Sequence, residues 1–226
     1  MAFILSIETS TDVCSVALHK KGLLISNQLH KIDKSHSSLL PTIALEICKE
    51  ANVILKEVEA IAVSEGPGSY TGLRIGVSTA KGFAYTLGIP VIAVPTIDIM
   101  LEAVRGKFQG KHLLCVMMDA RRMEVYAKME NQDGKEIWPL QAKVLSQDSF
   151  ADFKETIYLF GNGMPKFREI VAQENLIFID EIYPDAVNMG SIADLKYQAK
   201  IFEDVAYFEP NYLKEWQTTT PKKKLI

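Results

Sequence analysis

Cysteine is scarce in this chain of 226 residues: Cys14, Cys48 and Cys115 are odd in number, far apart and contain no CxxC pair. That pattern excludes a disulfide framework, fits a reducing compartment, and leaves the three thiols as small buried residues. Long apolar runs are also missing. The opening MAFILSIETS holds five apolar residues before Ser6, with no basic region ahead of them, so neither a signal peptide nor a membrane span is expected there and a cytoplasmic location follows. Charge of one sign is lacking too. With 25 basic and 28 acidic residues the net charge is −3, so no global attraction to nucleic acid or anionic lipid exists, and any RNA contact would fall to a partner.

Catalytic signatures are equally thin. The four histidines, His19, His30, His36 and His112, form no HExxH and no i, i+3 or i, i+4 pair, so they read as surface or cap residues and no metal site is expected. No GxSxG, Walker or GxGxxG template is met, and no cysteine has an activating neighbourhood.

What is present is order. Strand-like runs occur at Phe3 to Glu8, Val13 to His19 and Leu23 to His30, followed by a helix from Ser37 to Ala51, a strand at Ala60 to Ser64, a helix from Gly72 to Leu87, a strand at Val91 to Val94 and a helix from Thr96 to Val104. After a linker at Gly106 to Gly110 the order returns. Strands are expected at His112 to Asp119, Met123 to Glu130 and Glu136 to Lys143, then a helix at Asp148 to Lys154, a strand at Ile157 to Phe160, a helix at Pro165 to Gln173 and a strand at Leu176 to Ile179. The pattern βββαβαβ therefore occurs twice, as in a duplicated α/β unit. Residues 1–105 form the first lobe and 106–226 the second, with a last helix over 184–202 packing at the lobe junction and a flexible tail over 217–226.

The stretch SEGPGSYTGLRIGVSTAKGFAYTLGIP, Ser64 to Pro90, is the most distinctive. A glycine- and proline-rich turn leads into a helix capped by Thr71, in which Gly72, Gly76, Ala80 and Ala84 form one i±4 row. Glycine inside a helix costs about 1 kcal/mol against alanine, so such a row points to close packing. Two turns carry polar groups. Glu8, Thr9 and Ser10 end the first strand, and Asp119 and Arg121, with Arg122, occupy the corresponding place in the second half. Both turns read either as walls of a nucleotide cleft, Glu8 being the one acid suited to phosphoryl chemistry and Arg121 and Arg122 meeting a phosphate or a partner carboxylate, or as turns with local hydrogen bonds and a solvated hairpin tip. GNGMPKF, Gly161 to Phe167, would approach a base or ribose in a two-lobed site, or is a simple strand-to-helix turn. Lys222 to Lys224 read as a solubilising tail.

On ILSIETSTDVCSVAL, HSSLLPTI at His36 to Ile43, SEGPGSYTGLRIGVSTAKGFAY, DARRMEVY and the weaker FEPNYL, the chain resembles the TsaB family, also called YeaZ, over most of its length. The resemblance implies a two-lobed fold of the actin, hexokinase and Hsp70 (ASKHA) type, built from ribonuclease H-like units. It implies a part in threonylcarbamoylation of tRNA adenosine 37 (t6A) without performing the transfer. The partner would be the paralogue TsaD, which holds the metal and transfers the group from the adenylate made by TsaC, with the ATPase TsaE joining and tRNA reached only through the complex.

By the same resemblance, Thr96 and Met100 stand where TsaD-type chains carry a metal-binding HxxxH, and neither replaces an imidazole. No cofactor is expected to bind tightly, ATP or ADP entering only with partners. The first two helices would dock TsaD in a four-helix bundle, through Leu40, Ile43 and Ile47 on the first and Gly72, Leu73, Gly76, Val77, Ala80 and Ala84 on the second. The alternative is that the small-residue row packs on the chain's own sheet. A homodimer is expected in the absence of the partner. The competing function is an independent ATP-dependent phosphotransferase using Glu8.

Overall fold

The computed structural model describes residues 2–31, 36–171 and 173–213. Near-continuous burial marks the middle of the first sheet. Successive side chains point to opposite faces in β1 (Phe3–Glu8), β2 (Val13–Lys20), β3 (Leu23–Lys31), β4 (Val58–Gly66) and β5 (Val91–Pro95), and both faces are covered in all but β3, an edge strand with Leu23, Leu24 and Ile25 exposed. The strand order is β3-β2-β1-β4-β5, with β1, β4 and β5 parallel. Leu5, Ile7, Val16, Leu18, Ile61 and Val63 face α1 (His36–Glu50) and α2 (Tyr70–Leu87). Ile4, Ala17, Ala60, Ala62, Ile92 and Val94 face the other way.

That second face is closed from far along the chain. A 3-10 turn at Ala186–Met189 and the last helix, Gly190–Gln198, supply Ala186, Met189 and Ala193 to it. His19, expected at the surface, is fully buried here: Ser6 Oγ lies 3.1 Å from Nδ1 and Val187 O lies 3.2 Å from Nε2. Burial lowers its pKa, so the ring is held neutral. Glu203 bridges Val91, Phe208 enters the α1/α2 core, and Lys81 Nζ donates to the carbonyls of Ala206 and Phe208. The chain from 184 to 213 thus completes the first lobe, and the division at 105 is corrected accordingly.

The second sheet repeats the topology. Its strands are β6 (His112–Asp119), β7 (Glu124–Asn131), β8 (Glu136–Val144), β9 (Thr156–Phe160) and β10 (Leu176–Ile179), ordered β10-β9-β6-β7-β8. Its helices are much reduced. Asp148 to Lys154 forms successive turns rather than a helix, because Phe150 and Phe153 are drawn onto Trp138 with ring centroids 5.0 and 5.6 Å away. α4 is only Pro165–Arg168, ended when the Ile170 N–H bonds to Phe167 O, three residues back. His112 is buried as well, with Nδ1 2.9 Å from Gly110 O.

α3 (Thr96–Glu102) lies between the sheets. Ile99 belongs to the first lobe's core, while Ile97, Met100 and Leu101 pack on Leu114, Val116, Met118 and Phe160 of the second. Arg105 makes two 2.8 Å bonds to the buried Glu130, and Lys128 lies 2.7 Å from Asp98, fastening this segment to β7. Among the described residues no helix is long and apolar enough to cross a membrane. The Lys222 to Lys224 run, the 217–226 tail and the side chain of His36 lie outside the described residues.

Candidate functional site

The turn after β1 and the start of α2 are built into each other. Ser69, not Thr71, caps α2, its hydroxyl accepting from Gly72 N–H, and Ser69 N–H donates to Ser10 O at 2.7 Å. Thr9 Oγ1 donates to Gly72 O at 2.7 Å. A β-carbon on Gly68 would lie 2.5 Å from Ser10 O, one on Gly72 2.1 Å from Thr9 O, and one on Gly76 2.3 Å from Thr9 Oγ1. Glycine is required at 68 and 72 because a backbone passes where a side chain would stand, and at 76 the Thr9 hydroxyl fills that space. FEPNYL finishes the joint: Asn211 N–H donates to Glu65 O at 2.7 Å, and the Tyr212 and Tyr70 ring centroids are 4.9 Å apart.

This geometry corrects two expectations. The small-residue row does not face outward: Gly72 and Gly76 press on Thr9, and Ala80 and Ala84 join Leu40, Ile43, Ile47 and Val77 in the core, with Leu73 buried beside them. Those nine residues are therefore unavailable as a contact face. Nor do Glu8, Thr9 and Ser10 line an open cleft, since all three are buried beneath the turn. Ser10 N–H donates to Glu8 Oε1, whereas Glu8 Oε2 and Ser10 Oγ have no partner. Burial pushes the Glu8 carboxyl up to about 7, against the opposing pull of the Ser10 backbone N–H. The turn that would cradle phosphate is filled by the chain itself, so these residues do not fit a nucleotide.

The second-lobe turn is separate in character. Lys166 Nζ donates to Asp119 Oδ1 (2.5 Å), Arg122 O (2.8 Å) and Glu124 O (2.5 Å). Asn162 Oδ1 accepts from Asp119 N–H at 2.9 Å. Asp119 is thereby engaged by Lys166, while Arg121 and Arg122 stand exposed.

A metal fits no better. Thr96 and Met100 are buried, Met100 with its methyl 3.0 Å from where a β-carbon on Gly161 would stand, and Thr96 Oγ1 lacks a partner. Among the described residues no three His, Cys, Asp or Glu side chains gather as metal ligands would. The three thiols are free and buried, and burial raises that of Cys14 to about 11.

What the sequence did not disclose is the outward side of α1 and α2. Leu39 and Leu45 on α1 and Tyr85 on α2 are exposed, Tyr85 by 85%. Ser78 is exposed beside Gly82, which has open space where a β-carbon would go. One open depression of about 690 Å³ is lined by Lys81, Gly82, Tyr85, Asp204, Val205 and Ala206, and another of about 430 Å³ borders Leu45, Lys49 and Ile54.

Known proteins share both pattern and shape. The model of the family "TsaD: tRNA N6-adenosine threonylcarbamoyltransferase" matches residues 24–223. A tRNA threonylcarbamoyladenosine biosynthesis protein TsaB from Buchnera aphidicola is 30% identical over 87% of this chain and 90% of its own. The solved structure of YeaZ from Pseudomonas aeruginosa superposes with TM-score 0.79 at 28% identity, covering 94% of this chain and all of that one. The ethanolamine utilization protein EutJ from Carboxydothermus hydrogenoformans shares the fold alone, at TM-score 0.51 and 8% identity over 86% of this chain and 90% of its own. With two sheets of the actin, hexokinase and Hsp70 type, this chain belongs to the TsaB (YeaZ) family of tRNA threonylcarbamoyladenosine biosynthesis proteins.

Proposed function

We propose that the chain is a non-catalytic partner of TsaD in the formation of t6A in the cytoplasm. The observation that carries this reading is the closed turn: Gly68 and Gly72 press on Ser10 and Thr9, and the one acid suited to phosphoryl chemistry, Glu8, is fully buried next to them in the chain. Phosphoryl transfer needs positioned charges around an accessible phosphate, and that setting is missing at Glu8. The function then rests on surface rather than on a pocket.

The docking face is the outer side of α1 and α2, where Leu39, Leu45, Ser78, Gly82 and Tyr85 are exposed between two shallow depressions. Ser78 and Gly82 let a second helix approach near the short end of the usual 8–10 Å spacing, and Tyr85 is the kind of aromatic anchor that supplies a large share of binding energy at such a patch. Without TsaD the same patch joins two copies of the chain. TsaE and tRNA belong to the assembly, not to this chain alone.

Size-exclusion chromatography with TsaD tests the face. Leu45→Glu combined with Tyr85→Glu is expected to abolish co-elution while the variant melts within a few degrees of wild type, since surface changes shift stability by about 0.5 kcal/mol. Co-elution at wild-type level would refute the proposed face.

A further inference from the structure

The chain contains five arginines, all within the described residues. Three are engaged: Arg74 lies over the Tyr70 ring, Arg105 pairs with Glu102 and Glu130, and Arg168 pairs with Asp180 and lies over Phe178. Arg121 and Arg122 are the exception. Both are exposed, and among the described residues neither guanidinium has a hydrogen-bond, ion-pair or ring partner. Their nearest acid does not neutralise them, because Asp119 Oδ1 accepts instead from Lys166 Nζ and from the Arg121 backbone N–H at 2.9 Å.

Their backbone is equally unusual. Arg121 has φ 69° and Arg122 φ 51°, consecutive left-handed residues at the hairpin between β6 and β7. That region favours glycine or asparagine, and each left-handed residue with a side chain costs about 1–2 kcal/mol. The surroundings enforce it. Lys166 reaches across to bond Arg122 O and Glu124 O, Arg121 O accepts from Glu124 N–H at 3.3 Å, and Ala120 N–H donates to Glu124 O at 3.1 Å. Strain of this kind persists where the neighbourhood over-determines it and tends to mark function, and a braced turn spares a partner the cost of ordering its backbone on binding.

We propose that Arg121 and Arg122 form a preorganised anchor for an acidic segment of a protein partner, each guanidinium taking a carboxylate through its planar fork, with the exposed Met123 as the apolar contact beside them. A protein is favoured over nucleic acid by the local charge. Arg121 and Arg122 are two unpaired cations, the neighbouring Lys166 being engaged by Asp119, and on a chain of net charge −3 they do not make the broad basic stripe a polyphosphate requires. This anchor lies on the second lobe and is independent of the α1/α2 face and of the t6A reading.

The test is a titration of the full chain with hexaglutamate, followed through the arginine Nε–H NMR resonances, with ATP and a twelve-nucleotide single-stranded RNA as comparators. The Arg121 and Arg122 signals are expected to shift saturably and to lose the shift at high salt. Binding should weaken at least about tenfold in the R121K/R122K variant, which keeps the charge but loses the fork, and vanish in R121Q/R122Q with the remaining amide spectrum unchanged. Equal binding by the lysine variant, no shift at millimolar peptide, or tighter binding of RNA or ATP would each overturn the proposal. Separately, R121G/R122G should raise Tm by several degrees through relief of the left-handed strain, and an unchanged or lower Tm would remove the preorganisation argument.

Discussion

Two glycines of α2, Gly76 and Gly82, carry opposite consequences. Gly76 abuts Thr9 Oγ1 and Gly82 faces open space. Gly76→Ala should destabilise by about 1–3 kcal/mol in urea unfolding through overpacking, whereas Gly82→Ala should stabilise by up to about 1 kcal/mol through helix propensity. The row's period was legible in the sequence, but its direction was not. Ser78 and Gly82 give the opposite face small residues too, so periodicity could not orient the helix. Glu8 makes a second residue-level prediction. Burial raises its carboxyl from 4.5 to about 7, so the native state holds the proton more tightly than the unfolded chain. Its contribution is fully present below pH 4.5 and falls as pH rises to 7, by about 3 kcal/mol. His19, with a lowered pKa, acts oppositely and loses stability as pH falls below 6.5. The difference isolates Glu8: Glu8→Gln should gain on wild type between pH 4.5 and 7 in parallel denaturation curves. A constant offset would contradict its burial as a carboxyl.

α3 and the Arg105 that follows it show how an element joins the lobes. Glu130 is almost wholly buried and is satisfied by both arms of the Arg105 guanidinium. Arg105→Ala strands that carboxylate and should cost about 2–4 kcal/mol in thermal or urea unfolding, while Arg168→Ala, whose partner Asp180 is 63% exposed, should cost less than about 1 kcal/mol. Similar losses in both variants would deny the bridge its role. The succession of strands along the chain was readable from short apolar runs bounded by turn residues, and β10 lies where the pattern placed it. The second-lobe helices were not readable. Phe150 and Phe153 cluster with Trp138 and with each other, ring centroids 6.5 Å apart, a tertiary contact that local pattern does not encode. Burial of His19 and His112 escaped notice for the same reason, since their partners are backbone carbonyls of distant or turn residues.

At the scale of the whole molecule, the duplicated order suggested two lobes divided near residue 105, yet the first is finished by residues 184–213. A fragment of residues 1–105 leaves Ile4, Ala17, Ala62, Ile92 and Val94 uncovered, and should show no cooperative thermal transition until the 184–213 segment is supplied in trans or by fusion. Cooperative unfolding of the bare fragment would contradict that. The chain's larger claim is that it works by contact. The direct measurement is the yield of threonylcarbamoyladenosine in tRNA reconstituted with TsaC, TsaD and TsaE, comparing wild type, Glu8→Gln, Leu45→Glu/Tyr85→Glu and no added chain. Sustained product with wild type and Glu8→Gln, and its loss with the surface variant or without the chain, is the result expected. Undiminished product without the chain, or activity lost in Glu8→Gln while its fold and TsaD binding persist, would contradict the account.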